Sequence, residues 1–263
     1  MIRLDASRLV GSDDPDLILA GHSHVKSMLD SLNRAADLGL HAAVLLSRAL
    51  SVPPLSEPGS VEDFVLSAEG RVAVVAWDGN QHIASFLVDT EPGFQVFQKG
   101  VVDASHDFGR VWVSEEMLRN HWRGDAPWTM DAFENLLDRL ATSCRRLVVL
   151  GTPPPKKDRL IRDVLGGDSF FRAILEKNSR SPEDIPLTPG PVRLAMWTVI
   201  QNCYREAASA VGALFVPVPD FVMDSDGFLL DRYSPNGDAS HANGDYGAVM
   251  WGQIAEALSR TDA

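Results

Sequence analysis

Short apolar runs alternate along this chain with longer stretches in which apolar residues return every three or four positions. The run Leu17 to Ala20, closed by Gly21, is the first convincing one. It is too short for a helix and shows no polar alternation, which predicts a buried strand. Beyond it Val25, Met28, Leu29, Leu32 and Ala36 fall close to one helical face, so a helix is predicted from about His24 to a stop at Gly39. HAAVLLSRAL (41–50) fits a strand or a helix equally, and SVPPLSEPGS (51–60) has the Pro, Ser and Gly of a loop. RVAVVAW (71–77) is short and β-branched and runs into Asp78-Gly79-Asn80; it is the clearest buried strand. IASFLVD (83–89) stays open between strand and helix.

Phe133, Leu136, Leu137 and Leu140 share one side of a predicted helix that leads, through Arg146, into the strand LVVLG (147–151). A long helix has Pro191 near its start and Gly212 at its end. The strand ALFVPVP (213–219) follows, then a loop and a last helix from about Gly244. Buried strands alternating with amphipathic helices imply a parallel sheet covered on both faces. Residues 93–128 are mixed and rich in aromatics, while 152–190 are rich in Pro and charge. Both read as insertions or lid segments on a single domain spanning 1–263.

Composition adds exclusions. Acidic residues outnumber basic ones by 36 to 24, a formal charge of −12. That balance argues against nucleic acid as a partner, which needs a basic face to displace counterions, and against anionic membrane surfaces. No run reaches the ~18 apolar residues needed to span a bilayer, and no apolar signal segment follows the first charges. The two cysteines, Cys144 and Cys203, are too few and too far apart for a disulfide framework. Reduced thiols and a cytoplasmic location are expected. The sequence carries no signature of an oligomeric state.

In an open parallel sheet, ligands collect at the carboxyl ends of the strands. Three polar motifs fall there. Ser23, in Gly21-His22-Ser23-His24, sits where a strand becomes a helix. It is either the helix cap or a nucleophile exposed at the sheet edge, beside helix N–H groups open to an oxyanion. Asp238 and His241, in Asp-Ala-Ser-His, are either ordinary turn residues or a carboxylate holding one imidazole nitrogen while the other faces a nucleophile. Asn80, beside Gly79, is either part of a common Gly-Asn turn or an amide donor to a developing oxyanion.

Taken in chain order, these pieces resemble the SGNH (GDSL-like) hydrolase superfamily, with its early G-D-S, its G-x-N-D and its late D-x-x-H. Here His22 stands in place of the Asp of the first block, Gly79-Asn80 lacks the intervening residue, and Gln81 replaces the following Asp. Gly39 and Gly59 are the candidates for the family's second-block Gly, and Gly151-Thr152 is a weaker choice for the third block. The resemblance implies a three-layer α/β/α, flavodoxin-like fold with a roughly five-stranded parallel sheet. It also implies a serine esterase or acyltransferase that needs no metal or other cofactor. In it Ser23 would be the nucleophile, His241 the base, Asp238 its orienting acid, and the Ser23 N–H with Asn80 the oxyanion donors. The substrate would be a small-molecule or carbohydrate ester.

Two alternatives compete. G-H-x-H is also a ligand pattern of calcineurin-like phosphoesterases, so His22, His24, His82 and Asp238 could hold metal ions and activate water. In that family the motif comes last in the chain, and here it comes first. A non-catalytic SGNH-like binding domain is the other alternative. His41, His106 and His121 have no partner pattern, and Asp103 to His106 repeats the Asp-Ala-Ser-His tetrapeptide without its strand–loop–helix context.

Overall fold

The computed structural model describes residues 9–46, 55, 59–77, 86–89, 91–97, 109–124, 126, 129–167, 169–235 and 237–261. Its strands are β1 (Leu9–Gly11), β2 (Leu17–Gly21), β3 (Ala42–Leu45), β4 (Val72–Ala76), β5 (Phe94–Phe97), β6 (Val111–Ser114), β7 (Arg146–Leu150) and β8 (Leu214–Val216). Six of them form one sheet in the order β1-β3-β2-β4-β7-β8. The last five strands of that row are mutually parallel, as expected, and β1 is added antiparallel at the β3 edge. Numbered by chain position, the parallel strands run 2-1-3-4-5, a flavodoxin-like order whose direction reverses between β2 and β4.

The helices are α1 (Val25–Asp30), α2 (Leu32–Asp37), α3 (Ser60–Ala68), α4 (Glu115–His121), α5 (Met130–Ser143), α6 (Asp158–Leu165), α7 (Ser169–Asn178), α8 (Gly190–Ala210) and α9 (Gly244–Thr261). Residue alternation along the strands divides the interior into two cores. Ile18, Ala20, Val75 and Val149 face α3, α5 and α8. Leu17, Leu19, Val74 and Leu150 face α1, α2 and α9. The result is three layers, helices–sheet–helices. Strands buried on both faces need no polar alternation, which is why they read as continuous apolar runs.

Some elements depart from the sequence reading. Within the undecided stretch 41–50, Ala42–Leu45 is a strand, because Ala43 and Val44 are fully buried on opposite faces of the sheet; residues 47–50 lie outside the described residues. The helix expected from His24 to Gly39 is two helices broken at Ser31, whose Oγ donates to Ser27 O at 2.8 Å. Between 93 and 128, β5 and β6 pair in parallel as a separate two-stranded sheet. Within 152–190, α6 and α7 gather a small core of their own. Ile161, Leu165, Phe171 and Leu175 pack there with Leu187 and with Ala239. Cys203 is buried on α8 and Cys144 half-buried after α5, with no disulfide between them.

Candidate active site

β2 and β4 lie in register from Leu17 opposite Val72 to Gly21 opposite Ala76, so both end at the same level. The four residues Leu17 to Ala20 are all buried, and each fully buried Leu or Ile contributes about 1.5–3 kcal/mol. This central pair is the firm base beneath the switch point of the sheet. Gly21 is required there for closeness: a Cβ on it would come within 1.8 Å of Ala76 O. The chain then bonds across, His22 N donating to Ala76 O at 3.0 Å.

A tight turn follows. Val25 N donates to His22 O at 3.0 Å and Lys26 N to Ser23 O at 3.2 Å. The N-cap of α1 is His24, with no side-chain capping bond, so Ser23 is not the cap of this helix. Ser23 is half-buried, flanked by buried His22 and His24.

The turn carrying Asp238 and His241 comes from the other end of the chain and precedes α9. Asp238 Oδ2 lies 2.7 Å from His241 Nδ1, and Oδ1 accepts from the N–H groups of Ser240 and His241, each at 2.8 Å. Ser240 Oγ sits 3.2 Å from the same Nδ1. Burial alone would raise the Asp238 carboxyl. The hydrogen bond and charge of His241, with the two N–H donors, overcome that and hold it well below the usual carboxylate range. An imidazole that donates Nδ1–H to such a carboxylate keeps its proton-accepting lone pair on Nε2.

Helix packing brings the two turns together. α9 lies on α1, and Trp251 Nε1 donates to Met28 O at 3.0 Å. The His24 ring, one residue after Ser23, then meets the His241 ring edge to face, with centroids 5.4 Å apart. His24, Thr152 and Tyr246 line a small cavity under this contact. Burial raises the Tyr246 phenol far above its ordinary value, so it stays protonated.

Residues that the sequence did not mark support the turn from behind. The strand end after β7 is fastened to α8. Gln201 Nε2 donates to Thr152 Oγ1 at 2.7 Å, Thr152 N donates to Gln201 Oε1 at 3.2 Å, and Trp197 Nε1 donates to Thr152 O at 3.0 Å. Lys156, four residues on, donates from Nζ to Asp238 O at 2.7 Å. A buried amide on a helix and an ammonium in a proline-rich loop have no periodic signature, and these pairings span 49 and 82 positions.

The remaining sequence candidates separate. Gly79, Asn80 and His82 lie outside the described residues. His22 packs edge-on against Trp77 at 4.5 Å, away from the neighbour that His24 meets, and burial pushes its imidazole down to about 4. Among the described residues no three His, Cys, Asp or Glu side chains converge as metal ligands would. Gly39 ends α2 at the amino-terminal edge of β3, opposite the motifs, whereas Gly59 follows the carboxyl end of β3. Thr152, two residues beyond β7, has its polar groups already engaged by Gln201 and Trp197. Among the described residues no helix is long and apolar enough to cross a membrane.

No protein-family model matches the sequence, and no curated protein is similar to it in sequence. Solved structures are similar in shape. A candidate acylhydrolase from Bacteroides fragilis superposes with a TM-score of 0.50 at 12% identity, over 93% of this chain and 86% of its own. A GDSL-like lipase from Bacteroides thetaiotaomicron gives 0.47 at 10% identity over 93% and 88%. An acetylxylan esterase from Geobacillus stearothermophilus gives 0.46 at 9% over 95% of each chain. At such identities the likeness is one of architecture. With five parallel strands in the order 2-1-3-4-5 between two helical layers, the chain has a three-layer α/β/α, flavodoxin-like fold, the architecture it shares with that acylhydrolase.

Proposed function

We propose that the protein is a serine-dependent esterase or acyltransferase in which Ser23, His241 and Asp238 form a catalytic triad. The observation that carries this reading is the Asp238–His241 pair, set by the packing of α9 on α1 beside the turn that holds Ser23. Ser23 Oγ attacks the acyl carbon of an ester while its proton passes to His241 Nε2. Asp238 keeps the imidazole in the tautomer that can accept it and stabilises the imidazolium. The Ser23 N–H and the Asn80 amide hold the oxyanion. The intermediate collapses when the imidazolium gives its proton to the departing alkoxide, leaving an acyl-serine. Water or an acceptor hydroxyl, deprotonated by the same His241, then releases the acyl group and regenerates Ser23.

The chain is read as one domain. Residues 93–128 and 152–190 are read as insertions or lid segments, and the α6–α7 core within the second includes Ala239 of the proposed catalytic turn. A protein of charge −12 favours a neutral ester, of a small molecule or a carbohydrate, over a polyanionic one.

A fluorophosphonate probe tests the reading directly. Wild type should label stoichiometrically at Ser23, and Ser23→Ala and His241→Ala should lose the label. An unlabelled wild type that carries stoichiometric metal by elemental analysis would overturn the assignment.

A further inference from the structure

Two basic side chains are buried beneath the catalytic turn, Lys156 at 1% exposure and Arg193 at 0%. Taking such a charge out of water costs several kcal/mol unless it is compensated. Arg193 ties segments together: Nε donates to Thr188 O at 3.0 Å, Nη1 to Lys156 O at 2.9 Å, and Nη2 meets Asp158. The Lys156 side chain reaches from that clamp to the carbonyl of Asp238 at 2.7 Å, while the carboxylate of the same residue holds His241. Burial pushes the Lys156 ammonium down to about 8, with the Asp238 charge opposing, so it is charged at neutral pH.

We propose that Lys156 is a positioning residue for the acid–base pair: it clamps the Asp238 backbone so that the carboxylate meets His241 Nδ1, and its fixed charge limits how strongly that carboxylate holds a proton on His241. This rests on the reading of Ser23, Asp238 and His241 given above. A cation behind a carboxylate competes with the imidazolium for the same negative charge. Without it, His241 stays protonated to higher pH, and less of the protein carries a base ready to accept the serine proton. The Lys156 ammonium meets Asp238, which holds His241, and the His241 ring in turn meets the titratable ring of His24; Arg193 of α8 donates to the Lys156 backbone carbonyl and pairs with Asp158 at the start of α6. Its neighbour Lys157 turns away to Asp224 and Asp226.

The test follows the His241 ring by NMR across pH, together with the rate of fluorophosphonate labelling, in wild type, Lys156→Met, Lys156→Gln and Lys156→Arg. The midpoint of the His241 titration should rise by roughly half a unit to one unit in the Met and Gln variants, and stay near wild type in the Arg variant. Labelling at pH 7 should fall about tenfold or more in Lys156→Met, and less in Lys156→Gln, which keeps a donor. The Gln variant carries the test if the Met variant does not fold. An unmoved midpoint in folded variants overturns the proposal, even if labelling slows, because Lys156 would then be a structural prop. A wild type that takes no label, yet shows the midpoint shift on substitution, refutes the role of Ser23 and leaves the hold of Lys156 on His241 intact.

Discussion

Gly247 of α9 lies so close to Ser27 of α1 that a Cβ on it would come within 1.9 Å of the Ser27 carbonyl oxygen and 2.4 Å of Ser31 Oγ. These are the helices that follow the two proposed catalytic turns, so their separation sets how the His241 turn meets the Ser23 turn. Gly247→Ala gains about 1 kcal/mol of helix propensity. Overpacking costs about 1–3 kcal/mol and runs to the high end when the obstacle is backbone. The clash wins. The variant should lose about 1–2 kcal/mol, seen as a Tm lower by roughly 2–8 °C, and should label more slowly with a fluorophosphonate. Gly252→Ala, in the same helix with nothing within 4 Å of the added Cβ, should instead gain stability. Equal effects at the two glycines would refute the close-contact explanation.

What the sequence showed and hid follows from how far apart the interacting residues are. β2, β4 and β7 were legible because each is a short apolar run buried on both faces. Asp238 and His241 were legible because three residues of one turn carry the whole interaction. The break between α1 and α2 was not, since a serine in a helix gives no sign that its hydroxyl will bond back to Ser27 O. β1 is three residues at an edge, only partly buried, with no pattern to detect. Lys156 in a run of prolines and lysines looks like a solvated loop, and only the tertiary fold brings it under Asp238.

His22 gives the protein an acid sensitivity separate from the proposed triad. Burial holds its imidazole at about 4, below the 6.5 of an unfolded chain. The unfolded state therefore binds more protons between those values. The stability from the neutral ring is complete above pH 6.5 and is lost as pH falls toward 4. The shift corresponds to about 3 kcal/mol. His22→Phe keeps a ring against Trp77 and cannot protonate. Denaturant unfolding at pH 7 and pH 4.5 should show wild type losing about 2–3 kcal/mol more than the variant. Parallel losses would mean that His22 is not the sensor.

Asp238 titrates with the same sense on a carboxyl. Its folded pKa is depressed, so its contribution is present above the unfolded value and is lost as pH falls through the folded one. Asp238→Asn should be less stable than wild type at pH 7, and the gap should close in strong acid. The amide also removes the charge that supports an imidazolium and that selects the tautomer with its lone pair on Nε2. Fluorophosphonate labelling should then fall about a thousandfold or more, with the fold retained by circular dichroism. A variant that labels at the wild-type rate would take Asp238 out of the triad.

Gln201 tests the scaffold behind the turn without touching it. The side chain is buried, and both ends of its amide are used by Thr152, as acceptor from N and donor to Oγ1. Gln201→Leu fills the space but leaves the Thr152 N–H and hydroxyl oxygen in the interior without those partners. Each such loss costs about 1–3 kcal/mol, more than the ~1 kcal/mol that an ordinary hydrogen bond contributes. Trp197 still holds Thr152 O, so local loosening rather than global unfolding is expected. Stability should drop by about 2–4 kcal/mol in denaturant, and hydrogen exchange should quicken at Thr152 and along the loop to Lys156. If that loop carries the Asp238 turn as its Lys156 contact implies, labelling of Ser23 should slow as well. Faster exchange with an unchanged labelling rate would show that the turn is held by α9 alone.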